Sequence, residues 1–306
     1  MKPKVIVIVG PTASGKTSAS ISVAKKLNGE IISADSMQIY REMNIGTAKV
    51  TKEEADGIKH YLVDIVNPDE VFNVTKYKEL AEAAIEEILA KGKIPIIVGG
   101  TGLYVSTLIN GIEFAEVGED VEYREQMTAL AEKKGAEYLH NELRKVDPDA
   151  ADAIDMNNIR RVVRALEIFK LTGKTKTQLD IESRKEVKYD YRVYGIDTPR
   201  EELYNRINLR VDKMFEEGLL EEVKYVNEKY KLSSTAIQGL GYKEVIEYID
   251  GKVSFDEMKE KLKMETRRYA KRQLTWFRRE EKVKWCSLEM IVDTIINDLT
   301  IQNKSE

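Results

Sequence analysis

Gly10-Pro11-Thr12-Ala13-Ser14-Gly15-Lys16-Thr17 follows the pattern G-x-x-x-x-G-K-[ST]. Each part has a physical purpose. The glycines let successive backbone N–H groups converge on an anion. A helix starting there aims its positive dipole end at the same spot. Lys16 is placed to neutralise terminal phosphate oxygens, and the Thr17 hydroxyl to bind Mg²⁺. The apolar run Val5–Val9 precedes the loop and the amphipathic stretch Ser18–Leu27 follows it, which is the strand–loop–helix setting such a loop needs. These eight residues describe a site for a diphosphate and Mg²⁺. They do not name its owner, since an ATPase, a nucleoside kinase or any enzyme of a diphosphate substrate could use them.

A carboxylate follows. Asp35 lies just past a second apolar run, Glu30–Ala34, in the crevice where ligands of open α/β sheets bind. It could hold Mg²⁺ through water, act as a general base, or simply cap its loop. A second glycine turn, Gly99-Gly100-Thr101-Gly102, ends the run Ile94–Val98. The strand-end aspartate of an ordinary P-loop NTPase is missing from "IIVGG", which argues against ATP hydrolysis as the main activity.

The elements that must position these groups alternate. Strands are expected at Val5–Val9, Glu30–Ala34, Tyr61–Val66 and Ile94–Val98. A helix is expected over Thr75–Ala90, with Leu80, Ala84 and Ile88 on its apolar face. Alternation of this kind predicts a parallel sheet with helices on both faces. From about Glu113 to Asp190 the text turns helical, with breaks at Gly135, Asp147-Pro148 and Gly173. A strand returns at Tyr191–Ile196, a helix starts after Thr198-Pro199, and the rest reads as mostly helical. The expected architecture is α/β: a P-loop kinase-like core of residues 1–112 and 191–306, interrupted by a helical insertion at 113–190. The polar last six residues are expected to fray.

The 306 residues, 42% hydrophobic and 33% charged, suit a globular chain of one large or two small domains. Cys286 is the single cysteine, so no intrachain disulfide forms, and it is expected as a buried small hydrophobe. His60 and His140 are expected in structural or exposed roles. No apolar stretch reaches a membrane span and the first strand leaves no room for a signal peptide. A cytoplasmic monomer is expected.

The net charge of −4 announces no nucleic acid, yet residues 261–284 carry ten Lys and Arg against three acids. On one helix, Ala270, Leu274 and Phe277 would share a face, with Arg267, Arg268, Lys271, Arg272, Arg278 and Arg279 over roughly 140° beside it. Tyr269 and Trp276 would fall together on the other side. A basic stripe beside an aromatic pair suits RNA phosphates and stacked bases, or else a solvated face above a core. In the insertion, Arg160, Arg161 and Arg164 lie opposite Val162, Leu166 and Phe169, and arginine without lysine favours bidentate phosphate contact.

"GPTASGKT", "SADSMQIYREMNIGTAK", "HYLVDIVNPDEVFNV", "IVGGTGLYVSTLI", "NNIRRVVRALEIF", "TGKT", "GLGYKEV" and "YAKRQLTWFRRE" occur in this order. Together they resemble the tRNA dimethylallyltransferases, also called tRNA isopentenyltransferases, over roughly Lys4 to Trp285. The resemblance implies a Mg²⁺-dependent transfer of a dimethylallyl group from dimethylallyl diphosphate to N6 of the adenosine on the 3′ side of the anticodon in tRNA. Gly10 to Thr17 would then cradle the donor's diphosphate, and Asp35 would match the family's catalytic aspartate. An arginine from "ELYNRINLRVDKMFEEG" would meet the diphosphate. Arg206 and Arg210 both fit, four apart on one helix face, and a surface pair with Glu202 is the plain alternative for each. The resemblance assigns tRNA contacts to Asp35, Ser36, Met37 and Gln38, to Thr101, and to the 158–162 segment with Asn158, Ile159, Arg160 and Arg161. It assigns them also to Gln238, Gly241, Tyr242 and Lys243, to Lys271, Arg272, Gln273, Trp276 and Arg278, and more loosely to Tyr123 and Arg124. The single cysteine leaves no zinc finger, so the bacterial type is implied. ATP binding is often inferred for the family from its loop, and that inference stays open. The competing readings are a P-loop nucleoside kinase, an adenine-nucleotide prenyltransferase and a non-catalytic RNA-binding module.

Overall fold

A computed structural model describes residues 2–114 and 117–302 of the chain. Its strands are β1 (Lys4–Val9), β2 (Gly29–Ser33), β3 (His60–Tyr61), β4 (Ile94–Gly99), β5 (Asp190–Ile196) and β6 (Val283–Cys286). They form one sheet in the order β3-β2-β4-β1-β5-β6, and every pairing is parallel. β1 is central because it can be buried on both faces. Val5, Val7 and Val9 join one core cluster, and Ile6 and Ile8 join another on the opposite face, as the two-residue period of a strand requires.

The helices are α1 (Lys16–Leu27), α2 (Lys52–Ala55), α3 (Val74–Ala90), α4 (Gly102–Ile109), α5 (Val121–Lys134), α6 (Ala136–Val146), α7 (Pro148–Ala153), α8 (Ile159–Thr172), α9 (Lys176–Glu182), α10 (Arg200–Glu216), α11 (Leu219–Lys229), α12 (Tyr242–Ile249), α13 (Phe255–Phe277) and α14 (Leu288–Gln302). Residues of α3, α4, α11, α12 and α13 fill the first cluster, and α1 and α14 fill the second. The chain divides into two compact units, 1–109 with 187–306 and 110–186. The second unit begins three residues and ends four residues earlier than the expected insertion. Its breaks fall as read: Gly135 separates α5 from α6, Asp147 caps α7 with Pro148 in the first turn, and Gly173 ends α8 in a left-handed conformation.

Several expectations need correction. The strand over Tyr61–Val66 is only His60–Tyr61, because Leu62 and Asp64 take positive φ angles of 61° and 56°. Val66 keeps a single bridge to Tyr40. β6 lies where helix was expected, so the basic helix ends at Phe277, Arg278 is its C-cap, and Arg279, Lys282 and Lys284 fall beyond it. On α3 the buried stripe is Tyr77, Ala81, Ala84, Ile85 and Ile88, while Leu80 is 42% exposed. Cys286 is half-buried rather than buried, and burial still pushes its thiol pKa up. α14 runs to Gln302, and the rest of the expected frayed end, residues 303–306, lies outside the described residues.

The insertion has its own core, with Leu139, Leu143, Val162, Val163 and Leu166 at its centre. The ring of His140 contacts the carbonyls of Ala151 and Ile154 at 2.9 and 3.0 Å, so that histidine ties α6 to α7. His60 sits 2.9 Å from the Ile58 carbonyl and serves its own turn. Phe169, expected on the core face, is 37% exposed. The opposite face of α8, the arginine side, buries a carboxylate. Glu167 accepts from the Asp120 backbone N–H at 2.8 Å and from Arg124 at 3.0 Å, and also pairs with Arg164. Burial raises its pKa, and the hydrogen bonds from Arg164, Asp120 and Arg124 outweigh that and hold it below the usual range.

Candidate active site

Three sheet-end loops build the site of the core unit. β1 leads into the phosphate loop, β2 into Asp35, and β4, the strand between them, into Gly99–Gly102. Neighbouring strands place neighbouring loops, and the loops are then pinned by polar contacts. The Thr101 backbone N–H donates to the Ala34 carbonyl at 3.1 Å. The Ser36 N–H donates to Thr101 Oγ1 at 3.0 Å. Asp35 is partly buried, and its Oδ1 accepts from the N–H groups of Met37 and Gln38 at 2.8 and 3.3 Å. That Asx turn holds the carboxylate at the crevice mouth.

The phosphate loop curls through left-handed residues, Ala13 at φ 63° and Gly15 at φ 92°, into the first turn of α1. Pro11 and Ser14 are buried, Thr12, Ala13 and Gly15 are half-buried, and Thr17 is exposed on the first turn. Ala13 packs on the cluster of Leu203, Ile207 and Ala270 that joins α10 to α13. The Lys16 ammonium donates to the Pro11 carbonyl at 2.6 Å. Lys16 keeps a partly open surface, yet protein atoms crowd its ammonium. That crowding, with Arg210 beside it, pushes its pKa down from 10.5 to about 7, against the opposing pull of Asp35.

The two candidate arginines separate. Arg210 Nη1 donates to Thr12 Oγ1 at 3.2 Å. Burial lowers its pKa, again against Asp35. Arg206 pairs with Glu202 one turn earlier on α10, which is the surface pair the spacing allowed. The charges meeting at the loop are thus Lys16 and Arg210 against Asp35. Two crowded cations facing one carboxylate favour an added anion.

The loop also fits Mg²⁺ carried by a diphosphate. Ser14 Oγ is fully buried and has no hydrogen-bond partner, and the Thr17 hydroxyl lies one turn on, on the exposed side of the helix start. Among the described residues no group of three or more His, Cys, Asp or Glu could form a protein cage. That donor set suits a cation held mostly by phosphate oxygens and water.

The expected tRNA contacts divide. Exposed in the core unit are Gln238, Lys243, Lys271, Arg272 and Arg278, with Ser36 and Met37 half-buried. Trp276 is 37% exposed and donates from Nε1 to Ser106 Oγ at 2.9 Å. In the insertion Arg160 and Arg161 are exposed at the start of α8. Asn158 caps that helix, accepting weakly from the Arg161 N–H at 3.4 Å, and Ile159 and Tyr123 pack on the insertion core.

Other candidates are committed elsewhere. Arg124 and Arg164 hold Glu167, because a buried carboxylate must be paired. Gly241 is buried, and Tyr242 is buried too, its OH donating to Glu222 Oε1 at 2.6 Å. Gln38 donates to the Thr47 and Ala48 carbonyls at 3.3 and 3.2 Å. Gln273, 5% exposed, is inside the protein. Within the basic 261–284 segment, Lys261 pairs with Glu247, Lys263 with Asp212, Arg268 with Glu265, Arg278 with Asp197, and Lys284 with Asp298.

Sequence reasoning missed Glu222, which accepts from the N–H groups of Asn44, Ile45 and Gly46 at 2.8, 2.8 and 3.0 Å. It also missed the structural work of Lys49, whose ammonium reaches the Tyr40 carbonyl, Asn44 and Asp64 at 2.7, 2.9 and 2.6 Å. Both brace the loop that follows Asp35. No local signal announces Glu222, since its partners lie far away in sequence.

Comparison with known proteins agrees with this geometry. The family model described as "IPP transferase" matches residues 38–280. The tRNA dimethylallyltransferase of Acetivibrio thermocellus is 55% identical over 283 residues, covering 92% of this chain and 90% of that protein. Among solved structures, the full-length tRNA isopentenylpyrophosphate transferase of Bacillus halodurans superposes with a TM-score of 0.74 at 44% identity, covering 99% of this chain and 98% of the other. A eukaryotic dimethylallyltransferase acting on tRNA gives a TM-score of 0.74 at 36% identity over 90% of this chain and 69% of its own. With a family match over most of its length on a P-loop kinase-like core, this chain belongs to the IPP transferase family of tRNA-modifying prenyltransferases.

Proposed function

We propose that this chain, acting as a cytoplasmic monomer, transfers the dimethylallyl group of dimethylallyl diphosphate to N6 of the adenosine 3′-adjacent to the anticodon in tRNA, with Mg²⁺. The observation that carries the proposal is the meeting of Lys16, Arg210 and Asp35 at the mouth of the phosphate loop. Two cations face the leaving group and one carboxylate faces the nucleophile. Among the described residues no helix is long and apolar enough to cross a membrane.

The carbon–oxygen bond to the diphosphate breaks, its electron pair leaving on the diphosphate oxygen. The adenine N6 lone pair forms the new bond to the allylic carbon. The surplus N6 proton passes to the Asp35 carboxylate. Allylic cations are stabilised, so bond breaking runs ahead of attack and negative charge builds on the departing oxygens. Lys16, Arg210 and the loop amides stabilise that charge where it develops. Mg²⁺ bound near Thr17 and Ser14 would supply further neutralisation of the diphosphate. The target base must leave the anticodon stack to reach the crevice. Exposed cations in each unit, Lys271 and Arg272 in one and Arg160 and Arg161 in the other, are available to RNA phosphates.

The test is incubation with labelled dimethylallyl diphosphate, Mg²⁺ and either unmodified tRNA or AMP. Label in tRNA alone, with salt-sensitive tRNA binding, is the expected result. Label in AMP supports an adenine-nucleotide prenyltransferase, and ATP turnover with no label in either supports a kinase.

Donor binding should also take up a proton. Free Lys16 titrates near 7, and a bound diphosphate returns it toward its ordinary value. Affinity is then constant below about pH 7 and falls as pH rises above it. Calorimetry at pH 8 in two buffers of different ionisation enthalpy should show uptake approaching one proton. Lys16→Arg, which stays charged, should abolish it. Uptake unchanged in that variant would assign the proton elsewhere.

A further inference from the structure

Gln273 sits on α13 between Ala270 and Phe277, on the buried side of a helix whose outer side carries exposed Lys271 and Arg272. Both ends of its carboxamide are engaged. Oε1 accepts the Thr12 backbone N–H at 2.8 Å, and Nε2 donates to the Gly100 carbonyl at 3.0 Å. One side chain thus spans the phosphate loop and the second glycine turn. The fit is close on the Gly100 side, since a Cβ added at Gly100 would lie 2.0 Å from Nε2.

We propose that Gln273 is a positioning residue that sets the phosphate loop against the Gly99–Gly102 turn. It turns the Thr12 amide away from the ligand and so determines which loop amides face the diphosphate. Thr12 N–H needs an acceptor and the Gly100 carbonyl needs a donor, at one helical position, inside the protein. A glutamine carboxamide meets both needs. Glutamate offers no donor when ionised, methionine offers neither group, and lysine no acceptor. Thr12 is then fixed twice, through its backbone by Gln273 and through its hydroxyl by Arg210. This assignment replaces the expected role of Gln273 as a tRNA contact, and it rests on the reading of the loop as the donor's diphosphate site.

The experiment uses the full chain with Gln273→Met, which keeps the volume and removes both hydrogen bonds. Gly100→Ala serves as a second variant that displaces the amide from the other side. The expected result is a KM for dimethylallyl diphosphate raised about thirtyfold, the size of two neutral hydrogen bonds, with the Kd for unmodified tRNA within about twofold of wild type. A weakened tRNA Kd with unchanged donor KM would return Gln273 to RNA contact and overturn the proposal. Unchanged values for both would overturn it too. If wild type fails to prenylate tRNA, the functional reading fails by itself. Calorimetric binding of inorganic diphosphate then decides the positioning role: weaker binding by both variants supports it, and equal binding refutes it.

Discussion

Asp35→Asn is expected to lower single-turnover prenyl transfer to tRNA by about 10²–10⁴-fold while donor binding stays close to wild type. The substitution is selective because of how the loop holds this residue. Asp35 Oδ1 caps the turn by accepting from Met37 and Gln38, and asparagine keeps an oxygen there. What disappears is the anionic proton acceptor. Donor affinity depends on Lys16, Arg210 and the loop amides; loss of the carboxylate removes a competing anion but also lets the Lys16 pKa fall further, and these two effects oppose each other. Single-turnover rates with saturating donor, beside donor titration, separate the two effects. A variant turning over at a near-normal rate would remove Asp35 from the chemistry.

Arg210→Ala is expected to reduce kcat/KM for the donor by about 10²–10³-fold, the scale for losing one stabiliser of transition-state charge. Arg206→Ala should stay within about twofold. The two side chains lie on the same helix one turn apart, and only Arg210 reaches the loop, through Thr12. Arg206 is spent on Glu202, and a partly exposed pair of that kind is worth little. Arg210 also depresses Lys16, so the Arg210 variant should titrate Lys16 higher and keep more of its positive charge at pH 8. That partial compensation marks the pair as one electrostatic unit. Equal losses from both substitutions would contradict the assignment.

What the sequence disclosed was local, and what it hid was long-range. The phosphate loop is legible because eight consecutive residues carry both the chemistry and the turn, and Asp35 because it follows a strand. The choice between Arg206 and Arg210 was not legible. It depends on which of two side chains on one face of α10 lies over residue 12, nearly 200 positions earlier. The insertion arginines misled for the same reason. Arg164 and Arg124 read as free cations until α8 brings Glu167 inside, and Glu167 is ordinary as a letter. Gln273 did carry a signal. A glutamine between Ala270 and Phe277 is a polar group on an apolar stripe, and such a group needs a buried partner. β6 was obscured because four residues following a basic helix do not break its charge pattern.

The central place of β1 has a consequence for how the chain is made. Lys4 pairs with Asp190 and Val9 with Gly195, and the insertion's residues lie between these partners in sequence. On the ribosome β1 can pair early with β4, but its other edge stays open until the insertion has been synthesised. For that interval the nascent chain carries an uncovered, strongly apolar strand edge, the feature most prone to wrong pairing. The insertion has its own core and can fold in the meantime. That folding shortens the span β5 must close and with it the time the phosphate-loop strand stands exposed.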